Sequence, residues 1–244
     1  MKQFLFDGTF EGMLSGVFLI YEQKAWDAVL ESETHLENYS LFETVVVQTD
    51  EEKFQRVFRT LREKLSPAFL QDVYYIYLSD LPGSADVALN YIRLGLKEGV
   101  KIRGALQNPV ARSVRDLRRK VFGEAHRLKG LVRFHQMQGN VFVADLEPDH
   151  NVITLLAPHF AARLKNEFFI IRDLRRSIAV VYNKKEWYLT PLGSDIIPAD
   201  SQQDEFARLW KLYFKQIAVP GRENRKLQLQ SMPRRYHKYL TELQ

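Results

Sequence analysis

A chain of 244 residues, 45% apolar and 12% aromatic, suits one large domain or two small ones and carries enough apolar material for a packed core, which excludes a wholly disordered chain. It has no cysteine, which excludes disulfides, thiolate-held zinc or iron–sulfur clusters and a cysteine nucleophile. The formal net charge of +5 is a remainder: residues 1–100 carry 9 basic and 16 acidic side chains, 101–135 carry 10 and 2, 136–204 carry 7 and 9, and 205–244 carry 9 and 3.

The opening residues 2–6 read as a short strand, and Asp7-Gly8-Thr9 as a turn in which Asp7 or Thr9 caps a helix. The apolar residues Met13, Leu14, Val17, Phe18 and Tyr21 fall on one face of that helix. The β-branched run 44–48 predicts a buried strand. Thr49 with Glu52 fits a capping box for a helix whose stripe is Phe54, Val57, Phe58, Leu61 and Leu65. Further helices are predicted from Pro67 and after Pro82-Gly83-Ser84.

A long helix is predicted over 110–128, with Val114, Leu117, Val121, Ala125 and Leu128 inward and Arg112, Arg115 and Arg119 on another face. Gly130 is the expected residue just past its end. The period then changes. Strands are expected over 131–137 and 141–146, joined by a turn at Gln138-Gly139-Asn140. A helix over 152–165 follows, then strands over 168–173, 178–182 and 186–190. A last helix carries Phe206, Leu209, Trp210, Tyr213, Phe214 and Ile217, and a basic tail runs from Arg222 to Lys238. The pattern is α+β: a helix-rich first part over 1–130, then an antiparallel β-β-α-β-β-β part over 131–244 with a C-terminal helix.

No Walker-type loop, dinucleotide-binding glycine motif, H-E-x-x-H or G-x-S-x-G is present, which disfavours P-loop, Rossmann, zincin and α/β-hydrolase chemistry. The sequence names no cofactor and no metal site outright. Glu147, Asp149, His150, His159 and Asp173, with Asp145, are the residues from which a hard-cation site for phosphodiester cleavage would be built, or else they are turn and helix-capping residues. Arg133, Arg163, Arg175 and Arg176 offer phosphate-binding forks, or internal salt bridges. In the tail, Arg222, Asn224, Lys226, Arg234, Arg235 and Tyr236 interleave cations, amides and an aromatic, a mixture suited to backbone contacts and base stacking or to an arm packed on its own domain. No run of about 18 apolar residues exists, so the expectation is a cytoplasmic protein with no membrane contact.

Five segments carry a family resemblance: Phe6-Asp7-Gly8-Thr9-Phe10-Glu11-Gly12; Glu124-Ala125-His126-Arg127-Leu128-Lys129-Gly130-Leu131-Val132-Arg133-Phe134; Glu147-Pro148-Asp149-His150-Asn151-Val152 with Ala157-Pro158-His159-Phe160 and Arg163; Ile171-Arg172-Asp173-Leu174-Arg175-Arg176; and Arg222-x-Asn224 with Met232-Pro233-Arg234-Arg235-Tyr236. On these the chain resembles bacterial DNA-metabolism and DNA-repair proteins that accompany a radical-SAM protein. From about residue 85 it also resembles a domain fused to uracil-DNA-glycosylase-like proteins. The resemblance implies DNA as partner, together with a radical-SAM protein that holds the iron–sulfur cluster. His237 stands where the family tends to have Trp, which changes one aromatic position of the tail. The expected function is DNA binding in repair or modification. The alternatives are a metal-dependent nuclease or glycosylase-like enzyme, and an adaptor of the radical-SAM partner.

Overall fold

The computed structural model describes residues 2–35, 43–137, 140–193, 211–212 and 224–243. The architecture is α+β, in two units divided between Phe122 and Gly123.

In the first unit Lys2–Phe6 (β1) lies between Val29–Ser32 (β2) and Glu43–Val46 (β3), and both pairings are parallel. A parallel pair needs a crossover, and Phe10–Glu22 (α1) makes it from β1 to β2. Strand β2 is an addition to the expected elements; its four residues alternate half-buried and buried. Thr9 caps α1, its Oγ1 accepting the Gly12 N–H at 2.9 Å.

The cap expected at Thr49 is corrected. Asp50 caps Glu51–Thr60 (α2), accepting the Lys53 N–H at 3.0 Å. The Thr49 hydroxyl is drawn away to Asp7, donating to Oδ2 at 2.7 Å. Asp7 also accepts the Thr9 N–H at 3.0 Å and the Thr9 hydroxyl at 2.6 Å. Burial pushes its carboxyl up, but the hydrogen bonds from Thr9 and Thr49 outweigh this and hold it below the ordinary value.

Ser66 caps Pro67–Ser79 (α3), with Pro67 in the first turn where a missing N–H costs nothing. Ser84–Glu98 (α4) packs on it, and the Phe69 and Tyr91 rings stack at 4.3 Å and 4°. Pro109–Leu131 (α5) runs through Gly130 rather than ending before it. Burial of Leu128, Leu131 and Val132 accounts for the extra turn. Its first half is fastened by Asp72, which takes Arg118 at 3.2 Å, Arg103 at 2.6 Å and the Tyr91 hydroxyl at 3.4 Å.

The second unit holds one sheet in the order His135–Met137 (β4), Val141–Leu146 (β5), Phe168–Asp173 (β6), Ile178–Tyr182 (β7), Trp187–Pro191 (β8). The sheet is mixed rather than antiparallel throughout: β5 and β6 pair in parallel, because Ile153–Arg163 (α6) carries the chain back across the sheet. Strand β4 is shorter than expected, since α5 has already taken Leu131. Arg225–Ser231 (α7) and two 3-10 turns, Arg234–Tyr239 and Thr241–Leu243, close the unit. The helix expected around Phe206 to Ile217, Arg222, and turn residues Gln138 and Gly139 lie outside the described residues. Among the described residues no helix is long and apolar enough to cross a membrane.

A Cβ on Gly95 would lie 2.5 Å from the Phe69 ring, so α3 and α4 approach only because this residue has no side chain. Gly95→Ala is expected to destabilise the chain by about 1–3 kcal/mol through overpacking, read as a lower urea midpoint at unchanged slope.

Candidate functional site

Glu124 sits on the apolar stripe of α5, 1% exposed, beside Val121, Ala125 and Leu128. A carboxylate there needs partners, and the loop after β5 supplies them. Its oxygens accept the backbone N–H groups of Asp149 and His150, each at 2.9 Å. The hydroxyl of Tyr236, itself 1% exposed, donates to the same carboxylate, and Arg235 stands 3.5 Å away. Burial first, and then the carboxylate, push the Tyr236 phenol well above its ordinary value, so it stays a donor.

The opposite edge of the loop is held by arginine. Asp173, fully buried at the end of β6, accepts the backbone N–H groups of Arg175 and Arg176 at 3.1 and 3.2 Å and pairs with the Arg176 guanidinium at 2.9 Å. Burial pushes the Asp173 carboxyl up, against the pull of Arg176. Arg176 also donates to the carbonyls of Pro148 at 3.1 Å and Asp149 at 2.9 Å, and Arg175 reaches the Asp149 carbonyl at 3.4 Å. The loop is thus clamped by a carboxylate on its N–H groups and a guanidinium on its carbonyls.

The candidate acids are each matched by a cation. Asp145 takes Arg172 in a two-pronged pair at 2.5 and 2.8 Å. Glu147 pairs with Lys238 at 2.6 Å and Asp149 with Arg235 at 2.8 Å. His150 is buried with its Nδ1 lacking a hydrogen bond, 3.9 Å from Glu124. Glu147, Asp149, His150 and Asp173 therefore share one loop region as structural partners, while His159 sits on α6. Among the described residues no three His, Asp or Glu side chains are grouped to hold a metal ion.

The candidate arginines divide in the same way. Arg133 pairs with Glu242, its Nη2 2.5 Å from Oε1, and Arg176 and Arg235 belong to the clamp. Tyr236, read either as a base-stacking residue or as part of an arm packed on its own domain, is buried as the Glu124 donor. On α5, Arg112, Arg115 and Arg119 are exposed, Arg112 leaning on the Leu106 carbonyl at 3.3 Å and Arg119 on Asp116 at 3.5 Å. Arg163, Arg175, Lys226 and Arg234 are exposed, and Asn224 caps α7 through the Leu227 N–H at 3.0 Å.

Where α5 and α6 end, a pocket of about 310 Å³ opens, lined chiefly by Lys129, Arg133, Phe134, Phe160, Arg163 and Leu164. Phe134 and Phe160 meet edge to face at 5.1 Å. Lys129 and Arg163 have no acidic partner among the described residues. Burial first, and then these two charges, lower the pKa of neighbouring His159, whose buried Nε2 has no hydrogen bond. Lys129, Phe134 and Phe160 were not among the candidate residues. The readable signal was Lys129 and Arg133 flanking the end of a helix, four residues apart, with Phe134 beside them.

A family model for a domain of unknown function, DUF4130, matches residues 82–242, more than half of the chain. No curated protein matches it.

Glu124→Gln is expected to lose about 1.5–3 kcal/mol, since an amide cannot accept all the donors that the carboxylate holds, seen in urea unfolding. His159 gives a pH effect. Its folded pKa lies below the unfolded 6.5, so the unfolded chain binds the proton first and stability falls as pH drops below that value. His159→Asn should flatten the fall in melting temperature between about pH 6.5 and 5.

Proposed function

The chain belongs to the DUF4130 family, and we propose that it is a cytoplasmic DNA-binding protein acting in DNA repair or modification alongside a radical-SAM partner. The observation that carries this reading is the outer face of α5. Between residues 109 and 122 the helix bears five basic side chains and one acid; Asp72 takes Arg118, and Arg112, Arg115, Arg119 and Lys120 are left at the surface. Arg119 leans on Asp116, while Arg112, Arg115 and Lys120 meet no acid among the described residues; a helical array of such cations attracts a phosphate backbone and releases its counterions.

The pairing of Asp145, Glu147, Asp149 and Asp173 with arginine or lysine favours binding over hydrolysis at the loop. The resemblance of the motif segments to DNA-metabolism proteins supplies the choice of DNA and of the radical-SAM partner. One observation favours the adaptor as a second reading. The edge strand β8 exposes Trp187, Tyr188 and Leu189, and an apolar edge of this kind suits strand-to-strand docking of another chain.

The test is a salt titration of binding to single-stranded and duplex DNA by fluorescence anisotropy. The affinity should fall linearly with the logarithm of salt, and Arg115→Glu with Lys120→Glu should weaken binding about tenfold or more at low salt without lowering the melting temperature. Lack of DNA binding at low salt, with the radical-SAM partner retained on a column, would favour the adaptor.

A further inference from the structure

The pocket at the ends of α5 and α6 differs in kind from the outer face of α5. That face is a row of solvated cations. The pocket sets two cations, Lys129 and Arg163, beside an aromatic pair, Phe134 and Phe160, in a concavity of about 310 Å³. Resting on the DNA-binding reading above, we propose that this pocket holds a single unstacked nucleotide, its phosphate between Lys129 and Arg163 and its base against Phe134, which the buried Phe160 supports edge to face.

Three observations meet in it. The volume lies at the lower end of the range of small-ligand pockets, about 300–1,000 Å³, and so suits one mononucleotide. The aromatic pair is fixed from behind: Phe134 also meets Phe169 edge to face at 5.8 Å, so the rings are in place before any base arrives. The cations are uncompensated in a way that their neighbour is not. Arg133 is tied to Glu242 and to the carbonyls of Gly130 and Val132, which makes it a wall of fixed shape. Lys129 and Arg163 have no acid among the described residues, and their joint field reaches His159. An anion placed between them relieves that repulsion, and a forked guanidinium beside an ammonium is a phosphate-binding set.

A base within a duplex is stacked and out of reach of such a pocket. The occupant is therefore a nucleotide of a single strand, an extruded nucleotide, or a free mononucleotide. These share one chemistry and are separated by experiment.

The full chain, labelled with 15N, is titrated with dTMP, thymidine, inorganic phosphate and a dT oligonucleotide. The amide signals of Gly130, Phe134 and Arg163 should move with dTMP and with the oligonucleotide, and far less with thymidine or phosphate alone. Lys129→Ala with Arg163→Ala should weaken dTMP binding about tenfold or more, with no loss of melting temperature, since neither side chain meets an acid among the described residues. Neutralising the field should also raise the His159 pKa when dTMP is bound, seen in the imidazole signals. Phosphate binding as well as dTMP would overturn the base contact. An oligonucleotide that binds with a steep salt slope, while dTMP moves none of these signals, would overturn the pocket and leave the DNA-binding reading standing. Pocket signals that move with dTMP, in a chain that binds no DNA at low salt, would sink that reading and leave a free-nucleotide site.

Discussion

The second unit depends on one buried charge. Glu124 lies on the inward face of α5, where an unmatched carboxylate would cost several kcal/mol. Its match is assembled from two distant places: the N–H groups of Asp149 and His150, and the hydroxyl of Tyr236. Because the acceptor is buried and the donors include main chain, the loop after β5 has one allowed position. Asp173 and Arg176 repeat the arrangement with the sign reversed, on the carbonyls of the same loop. Of the acids that look catalytic in the sequence, Asp173 is the one that helps make this loop rigid, and Glu147 and Asp149 pair with Lys238 and Arg235.

That inversion marks what was legible. Strands β5, β6 and β7 stand out because each is a compact β-branched and aromatic run, and α5 because its apolar residues recur at helical spacing. The α+β class follows from those periods. The direction of β6 against β5 does not, for it depends on α6 crossing the sheet, whereas residues 152–165 read only as a helix. Strand β2 is four residues long and carries too little pattern to separate it from its acidic surroundings. Thr49 has the form of a cap, yet Asp7, 42 residues away, competes for its hydroxyl.

The site was legible in composition and not in pairing. Arginines near strand ends are visible, but which one meets an acid is set by contacts spanning from 3 residues, for Arg176 with Asp173, to 109, for Arg133 with Glu242. Glu124 alone offered a local signal, a charge on an apolar stripe. In the first unit a similar substitution has taken place. Ligands of parallel sheets collect beyond the carboxyl ends of the strands, where the chain departs to either side of a central strand. Here β1 is that strand, and Asp7 with Thr9 and Thr49 fills the place; a Cβ on Gly12 would lie 2.2 Å from Asp7 Oδ1.

The bond from Tyr236 to Glu124 spans 112 residues and so has a bearing on synthesis. The contacts of the first unit are complete once Phe122 has been made, so that unit is able to fold while the rest is still being translated. Glu124 is made two residues later and then waits. The N–H groups of Asp149 and His150 reach it first, and its side-chain donor comes only with Tyr236. Closure of the second unit therefore joins residues far apart in the chain, a high-contact-order step.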